Sequence, residues 1–339
     1  MRKPIILITG INGEIGHGLV EYLSHKSNYS IIGLDLKPPD SFIQKRVYDY
    51  IIGNILDKDL LERLNAEFEI STIFHLAAIL STRAEFSPRI AHDVNVTGTI
   101  NLLDLAIEQG QSLGRAVKFF FPSSIAVYGI SNSNLRDNTG PVPEDQFRYP
   151  QTMYGCNKLY CENIGTYFAR YYKRLSVESS TNLIDFRSIR LPGLISAHTM
   201  PSGGSSDYAP EMIHAAARKK PYTCFLREDT VMPFMTMPDA IRAILLLVKA
   251  PEKSLRRMVY NITSFSPTAG DFRNKILSYF SDAKITFEVN DKRQSIVDSW
   301  PREIDDTSAR EDWNWEPVHN FDSAFEDYLI PEICKKYGL

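Results

Sequence analysis

Cysteine is scarce in this chain, and neither sign of charge dominates. Among its 339 residues there are four cysteines, Cys156, Cys161, Cys224 and Cys334, with no CxxC pair and no metal-like spacing. A disulfide framework and a bound metal are therefore excluded as organising features, and reduced thiols in a cytoplasmic protein are expected. Acids and bases are interspersed and the net charge is −3. That balance leaves no basic stripe for nucleic acid and no charged tail for a membrane surface. No apolar run is long enough to span a bilayer. The opening "MRKPIILITG" carries too short an apolar stretch for a secretion signal and runs straight into glycines. Repeats and low-complexity tracts are also missing.

What is present is an alternation of apolar runs and amphipathic stretches. "IILIT" (residues 5–9), "SIIGLD" (30–35), "DYIIGN" (49–54), "STIFHLAA" (71–78), "AVKFFFPSS" (116–124) and "LIDFRSIR" (183–190) read as strands. Helical spacing predicts helices from residue 14, over about 57–68, as one long element over about 85–109, and over about 152–173. Strands alternating with helices argue for an α/β fold, a Rossmann-like doubly wound parallel sheet with a smaller C-terminal substrate-binding region. The expected division is a dinucleotide domain over residues 1–190, with 232–262 returning to it, and a smaller domain from 191–231 and 263–339. Residues 173–184, polar at their centre, read as a surface insertion. "MPDAIRAILLLVKAP" reads as an amphipathic helix with Asp239 in its first turn.

"TGINGEIG" follows the first strand and opens a helix. Gly10, Gly13 and Gly16 allow a tight turn and close backbone approach, and the N–H groups of the segment Asn12, Gly13, Glu14, Ile15 and Gly16 can meet a pyrophosphate. Asp35 ends the second strand about 20 residues on, where a carboxylate accepts from ribose hydroxyls and repels a 2′-phosphate. NAD is therefore favoured over NADP. Asn54 and Ile55, after the third strand, are candidates for the adenine; a turn asparagine has the same look. Leu76, Ala77 and Ala78 end the fourth strand with room for a dinucleotide, and Asn95 and Leu191 complete the candidate cofactor contacts. His75 reads as structural. Ser81, just beyond, falls near the expected substrate position.

Ser124 closes the fifth strand, at the carboxyl edge where ligands bind in open α/β sheets. Tyr154 and Lys158 in "MYGCNK" lie one turn apart on the next long helix. Beside a nicotinamide, Ser124, Tyr154 and Lys158 form a general acid–base unit, in which the ammonium is expected to lower the phenol.

Taken together, the glycine motif, the acid after strand two, Ser124 and Tyr154-x-x-x-Lys158 resemble the extended short-chain dehydrogenase/reductases, which include sugar-nucleotide epimerases. The stretches "DFRSIRLPGLIS", "PSGGSSDYAPEM", "MPFMTMPDAIRA" and "QSIVDSWPREIDDTSAREDWNW" narrow the likeness to the short-chain-type L-threonine 3-dehydrogenases, nearly end to end. The resemblance implies oxidation of L-threonine at its β-hydroxyl by NAD to 2-amino-3-oxobutanoate, with Tyr154 as general base assisted by Ser124 and Lys158. It further implies that Gly203, Gly204, Ser205 and Ser206 grip the amino acid, with Ser81 and Trp300 as further candidates; Asp207 is either one more such contact or a first-turn helix acid. The long helices at 85–109 and 152–173 would pair in a four-helix homodimer seam. Three features depart from the family: serines at 205 and 206 where it has threonines, a longer loop between Ser124 and Tyr154, and the 173–184 insertion. A sugar-nucleotide epimerase or dehydratase is the neighbouring alternative, but the region around 200–207 is short of cations for a diphosphate. A catalytically silent NAD sensor would not need all three acid–base side chains.

Overall fold

The structure is a computed structural model that describes residues 4–25, 30–176, 182–199, 201 and 203–339. The centre of the expected insertion, 177–181, lies outside the described residues. The chain divides into two compact units. The first comprises Met1–Ser123, Cys156–Ile189 and Ile244–Val259, and the second Ser124–Gly155, Arg190–Ala243 and Tyr260–Leu339.

Eleven strands occur among the described residues: β1 (Pro4–Thr9), β2 (Ser30–Asp35), β3 (Asp49–Ile52), β4 (Glu69–His75), β5 (Val117–Ser124), β6 (Ile184–Leu191), β7 (Gly193–Ile195), β8 (Tyr222–Cys224), β9 (Phe234–Thr236), β10 (Val259–Asn261) and β11 (Ile285–Phe287). Seven form one sheet in the order β3-β2-β1-β4-β5-β6-β10. β1 pairs in parallel with β2 and β4, β2 with β3, and β4 with β5. The order reverses between β1 and β4, the switch point at which doubly wound sheets open a crevice. β1 is buried at every position after Pro4, as a parallel strand covered on both faces must be. Its core neighbours include Ile32, Ile73 and Phe119, with Leu102 and Leu103 from the helix Gly98–Leu113.

The long helix expected over 85–109 is a continuous helical run from Pro88 to Leu113, made of Pro88–His92, a π-helical turn Asp93–Thr97 and Gly98–Leu113, with a separate short helix Ser81–Phe86 before it. Ser87 makes the break between the two with φ −140° and ψ 65°. The cause is Pro88, whose ring disfavours helical backbone in the residue before it. The helix expected over 152–173 spans Met153–Arg170.

In the second unit, β7 pairs with β9 and β8 with β11, each in parallel. Tyr208, Phe234 and Phe272 meet edge to face at its centre, with ring centroids 5.0 to 6.1 Å apart. The helix Met237–Lys249 begins with Asp239, which does more than offset a helix dipole. Its carboxylate is 1 % exposed and accepts from the backbone N–H of Val318 (2.9 Å) and of His319 (3.0 Å). It thereby holds the C-terminal segment to the helix start.

Candidate active site

The cradle at the head of β1 is built from backbone contacts. Gly10 has φ +68°, a conformation that L side chains resist. A Cβ there would stand 2.6 Å from the Ala77 nitrogen. The Gly10 N–H donates to Leu34 O at 2.8 Å, and Leu76 N–H to Thr9 O at 3.0 Å. Gly10, Leu76 and Ala77 are thus brought together at the switch point between β1 and β4. Gly13 is the N-cap of the helix Glu14–Ser24 and has no side chain to close that end, which suits an anion. Asp35 accepts from Asn12 N–H at 3.1 Å and from Lys37 N–H at 3.4 Å, so the carboxylate tethers the glycine loop to the end of β2. Each carboxylate oxygen keeps a further lone pair for a hydroxyl. The chemistry of this donor and acceptor set fits a dinucleotide with free ribose hydroxyls.

Other candidates fall differently. Asn54 is exposed, and its Oδ1 accepts from Leu56 N–H at 3.0 Å, closing its own turn. Ile55 and Leu191 are buried. Asn95 is buried and brackets the backbone of Ile79, accepting from its N–H at 2.7 Å and donating to its carbonyl at 3.0 Å. It fixes the segment leading to Ser81, the half-buried first residue of the helix Ser81–Phe86. His75 sits between Thr9 Oγ1 and Thr99 Oγ1, at 2.9 Å from each. Burial, seconded by the Lys158 charge, lowers its imidazole to about 3, so it stays neutral and structural.

The candidate acid–base residues occupy the end of β5 and the helix Met153–Arg170. Ser124 has extended backbone, is half-buried, and accepts from Ala126 N–H at 3.2 Å as the cap of a short turn over Ile125–Val127. Gly155, beside Tyr154, lets that turn press on the helix: a Cβ on it would lie 2.0 Å from Ala126 O. Lys158 is 3 % exposed; its Nζ donates to Pro122 O at 2.6 Å and lies 4.4 Å from the Phe121 ring centroid. Burial lowers its ammonium to about 8, while Cys161 and Glu162 act in the opposite sense. The phenol of Tyr154 does not follow the expectation of a lowered value. Tyr154 keeps partial accessibility as a residue, yet desolvation around it pushes the phenol well above the usual range. Desolvation is the cause, because the phenolate, unlike the phenol, loses strong hydration there. Cys156 and Cys161 point to different sides, one exposed and one buried.

The glycine–serine loop of the second unit is held by side chains. Gly203 has φ +88°. Arg293 Nη2 donates to the carbonyls of Gly203 (2.9 Å) and Gly204 (3.2 Å), with its guanidinium 3.5 Å from the Phe225 ring centroid. Asp207 Oδ2 accepts from Gly204 N–H at 2.7 Å, and Glu211 N–H donates to Asp207 O at 2.9 Å as the next helix starts. Asp207 therefore closes the loop as well as heading the helix Tyr208–Ala217. Ser205 is buried, Ser206 half-buried. Trp300 is buried, and its carbonyl accepts from Arg136 Nε at 2.7 Å. Arg293 was not singled out from the sequence. An arginine two residues into a short polar helix gives no sign that its partners are carbonyls 90 and 89 positions away. Among the described residues, no group of three or more His, Cys, Asp or Glu could hold a metal ion, and no helix is long and apolar enough to cross a membrane.

Comparison with known proteins places this geometry among relatives. The sequence model of the NAD dependent epimerase/dehydratase family matches residues 6–263. The mitochondrial L-threonine 3-dehydrogenase of Bos taurus is 35 % identical over 319 residues, covering 94 % of this chain and 79 % of that one. The structure of L-threonine dehydrogenase from Clostridium difficile superposes with a TM-score of 0.85 at 33 % identity, covering 99 % of both chains. A monomeric L-threonine 3-dehydrogenase from a metagenome gives 0.83 at 36 % identity, over 97 % of this chain and 99 % of that one.

Proposed function

Since this chain belongs to the NAD dependent epimerase/dehydratase family and has full-length relatives named L-threonine 3-dehydrogenase, we propose that it oxidises L-threonine to 2-amino-3-oxobutanoate with NAD. The observation that carries the chemistry is a buried lysine one helical turn from Tyr154, on the long helix Met153–Arg170. NAD supplies the acceptor for the hydride leaving the β-carbon of threonine. Tyr154 takes the proton from the β-hydroxyl, and Ser124 holds that oxygen by a hydrogen bond. Burial alone would keep the phenol protonated, so the base depends on positive charge close to it. Lys158, with its ammonium near 8, stays mostly charged at neutral pH and supplies part of it. Gly10, Asn12, Gly13, Asp35 and Leu76–Ala78 hold the dinucleotide. The loop 203–207, with Ser81 and Trp300, binds the amino acid. The dinucleotide assignment to residues 1–190 and 232–262, and of substrate to 191–231 and 263–339, belongs to the same proposal.

The test is direct. Purified protein with NAD and L-threonine should produce NADH, and turnover of a UDP-sugar without any threonine oxidation would reject the dehydrogenase in favour of an epimerase. We also propose a homodimer in the cytoplasm. Exposed Phe86 and Ile90, with Tyr160 and Tyr167 on the helix Met153–Arg170, support an apolar seam between copies, and four cysteines outside any disulfide fit a reducing compartment. Sedimentation should give twice the chain mass; a single-chain mass would remove the seam.

A further inference from the structure

Glu162 is a carboxylate that the mechanism above does not use. It is 3 % exposed, and acids are almost never so buried without a partner. It stands four residues after Lys158 and eight after Tyr154 on the helix Met153–Arg170, so the three side chains share one face. Its Oε1 accepts from Ser123 Oγ at 2.5 Å. Ser123 is itself 2 % exposed and directly precedes Ser124.

We propose that Glu162 is a positioning residue for the acid–base unit: its buried carboxylate faces Lys158 and keeps that side chain charged, and through Ser123 it ties the end of β5 to the helix of the proposed base. The inference rests on the reading of Tyr154 and Lys158 given above. A buried ammonium is unstable without a compensating negative charge. Among the described groups that act on Lys158, Glu162 is a source of it. The Phe121 ring and the Pro122 carbonyl from β5 offer only partial charge. From β4 comes His75, which is neutral. On its own helix are Tyr154, whose phenol is held protonated by burial, and Cys161, whose thiol burial raises to about 11. Cys161 and Glu162 both act to raise Lys158; with the thiol held protonated, the carboxylate of Glu162 supplies full negative charge among these described groups.

The sign of the effect follows. Removing the carboxylate lowers the Lys158 midpoint below about 8, so the ammonium loses its proton at a lower pH. The proposed base is then less well supported between the variant's midpoint and the wild-type one.

The experiment is an NMR titration of protein labelled at lysine 13Cε, with the Lys158 resonance assigned by loss in Lys158→Met. In Glu162→Gln the Lys158 midpoint should fall by about one pH unit or more, each unit being tenfold in proton affinity. The kcat/KM for threonine should fall by about fivefold around pH 8, with the deficit shrinking toward pH 6. An unchanged Lys158 midpoint, or an activity deficit equal at every pH, overturns the proposal. If Glu162→Gln does not fold, the wild type decides. Its Glu 13Cδ resonance for Glu162 should move at the Lys158 midpoint, and a carboxyl signal indifferent to that titration overturns the coupling. The titration needs neither NAD nor threonine, so its outcome is separate from that of the threonine assay.

Discussion

The proposed dinucleotide cradle and the glycine–serine loop are both rich in glycine, but they are held in place by different means. In the cradle, Gly10 is fixed by peptide atoms: the Leu34 carbonyl accepts its N–H at 2.8 Å, and the Ala77 nitrogen occupies the space a Cβ would need. In the loop, Gly203 and Gly204 have open surroundings or side-chain neighbours, and their carbonyls converge on the single guanidinium of Arg293. Close-packed backbone has one arrangement and resists change. A loop gripped by the side chains of Arg293 and Asp207 can release and re-form, as closure over a substrate requires. In the proposed reading, the cofactor is recognised through main-chain proximity and the substrate through side chains.

Two substitutions probe that contrast, the larger effect first. Gly10→Ala should destabilise the protein by about 3 kcal/mol, combining left-handed backbone cost with overpacking, and should weaken NAD binding at least about tenfold. Urea unfolding and fluorescence titration with NAD measure the two; a stability within about 0.5 kcal/mol of wild type would mean that the cradle is as adaptable as the loop. Arg293→Ala removes two charge-assisted hydrogen bonds to the loop. Its KM for threonine should rise about tenfold, with the dissociation constant for NAD changed less than about twofold. Steady-state kinetics set beside the same titration give both numbers, and an equal loss in NAD affinity would erase the distinction between the two regions.

The same contrast explains what could be read from the sequence. The cradle was legible because its parts are local: strand, glycines at fixed offsets, helix, and an acid at the end of the next strand. The six strands of the first half were legible because parallel strands buried on both faces leave continuous apolar runs. The break at Ser87 was not, since the apolar pattern carries on through Pro88 and the π-turn. Asp239 looked like a first-turn acid because nothing local shows that it receives Val318 and His319, 79 and 80 positions away. For Tyr154 the spacing to Lys158 could be counted, but the degree of burial that governs the phenol could not. Glu162 was hidden in the same way, as one more acid on an amphipathic helix until its depth and its contact with Ser123 are known.

Gly155 has a consequence of a different kind. The turn after Ser124 and the first turn of the Tyr154 helix meet as two peptide planes, with the Ala126 carbonyl standing where any side chain at 155 would be. Peptide planes have the same thickness in every protein. The gap therefore works as a gauge block, a length standard independent of neighbouring chemistry. Sequence drift can remodel what is recognised around it without recalibrating it.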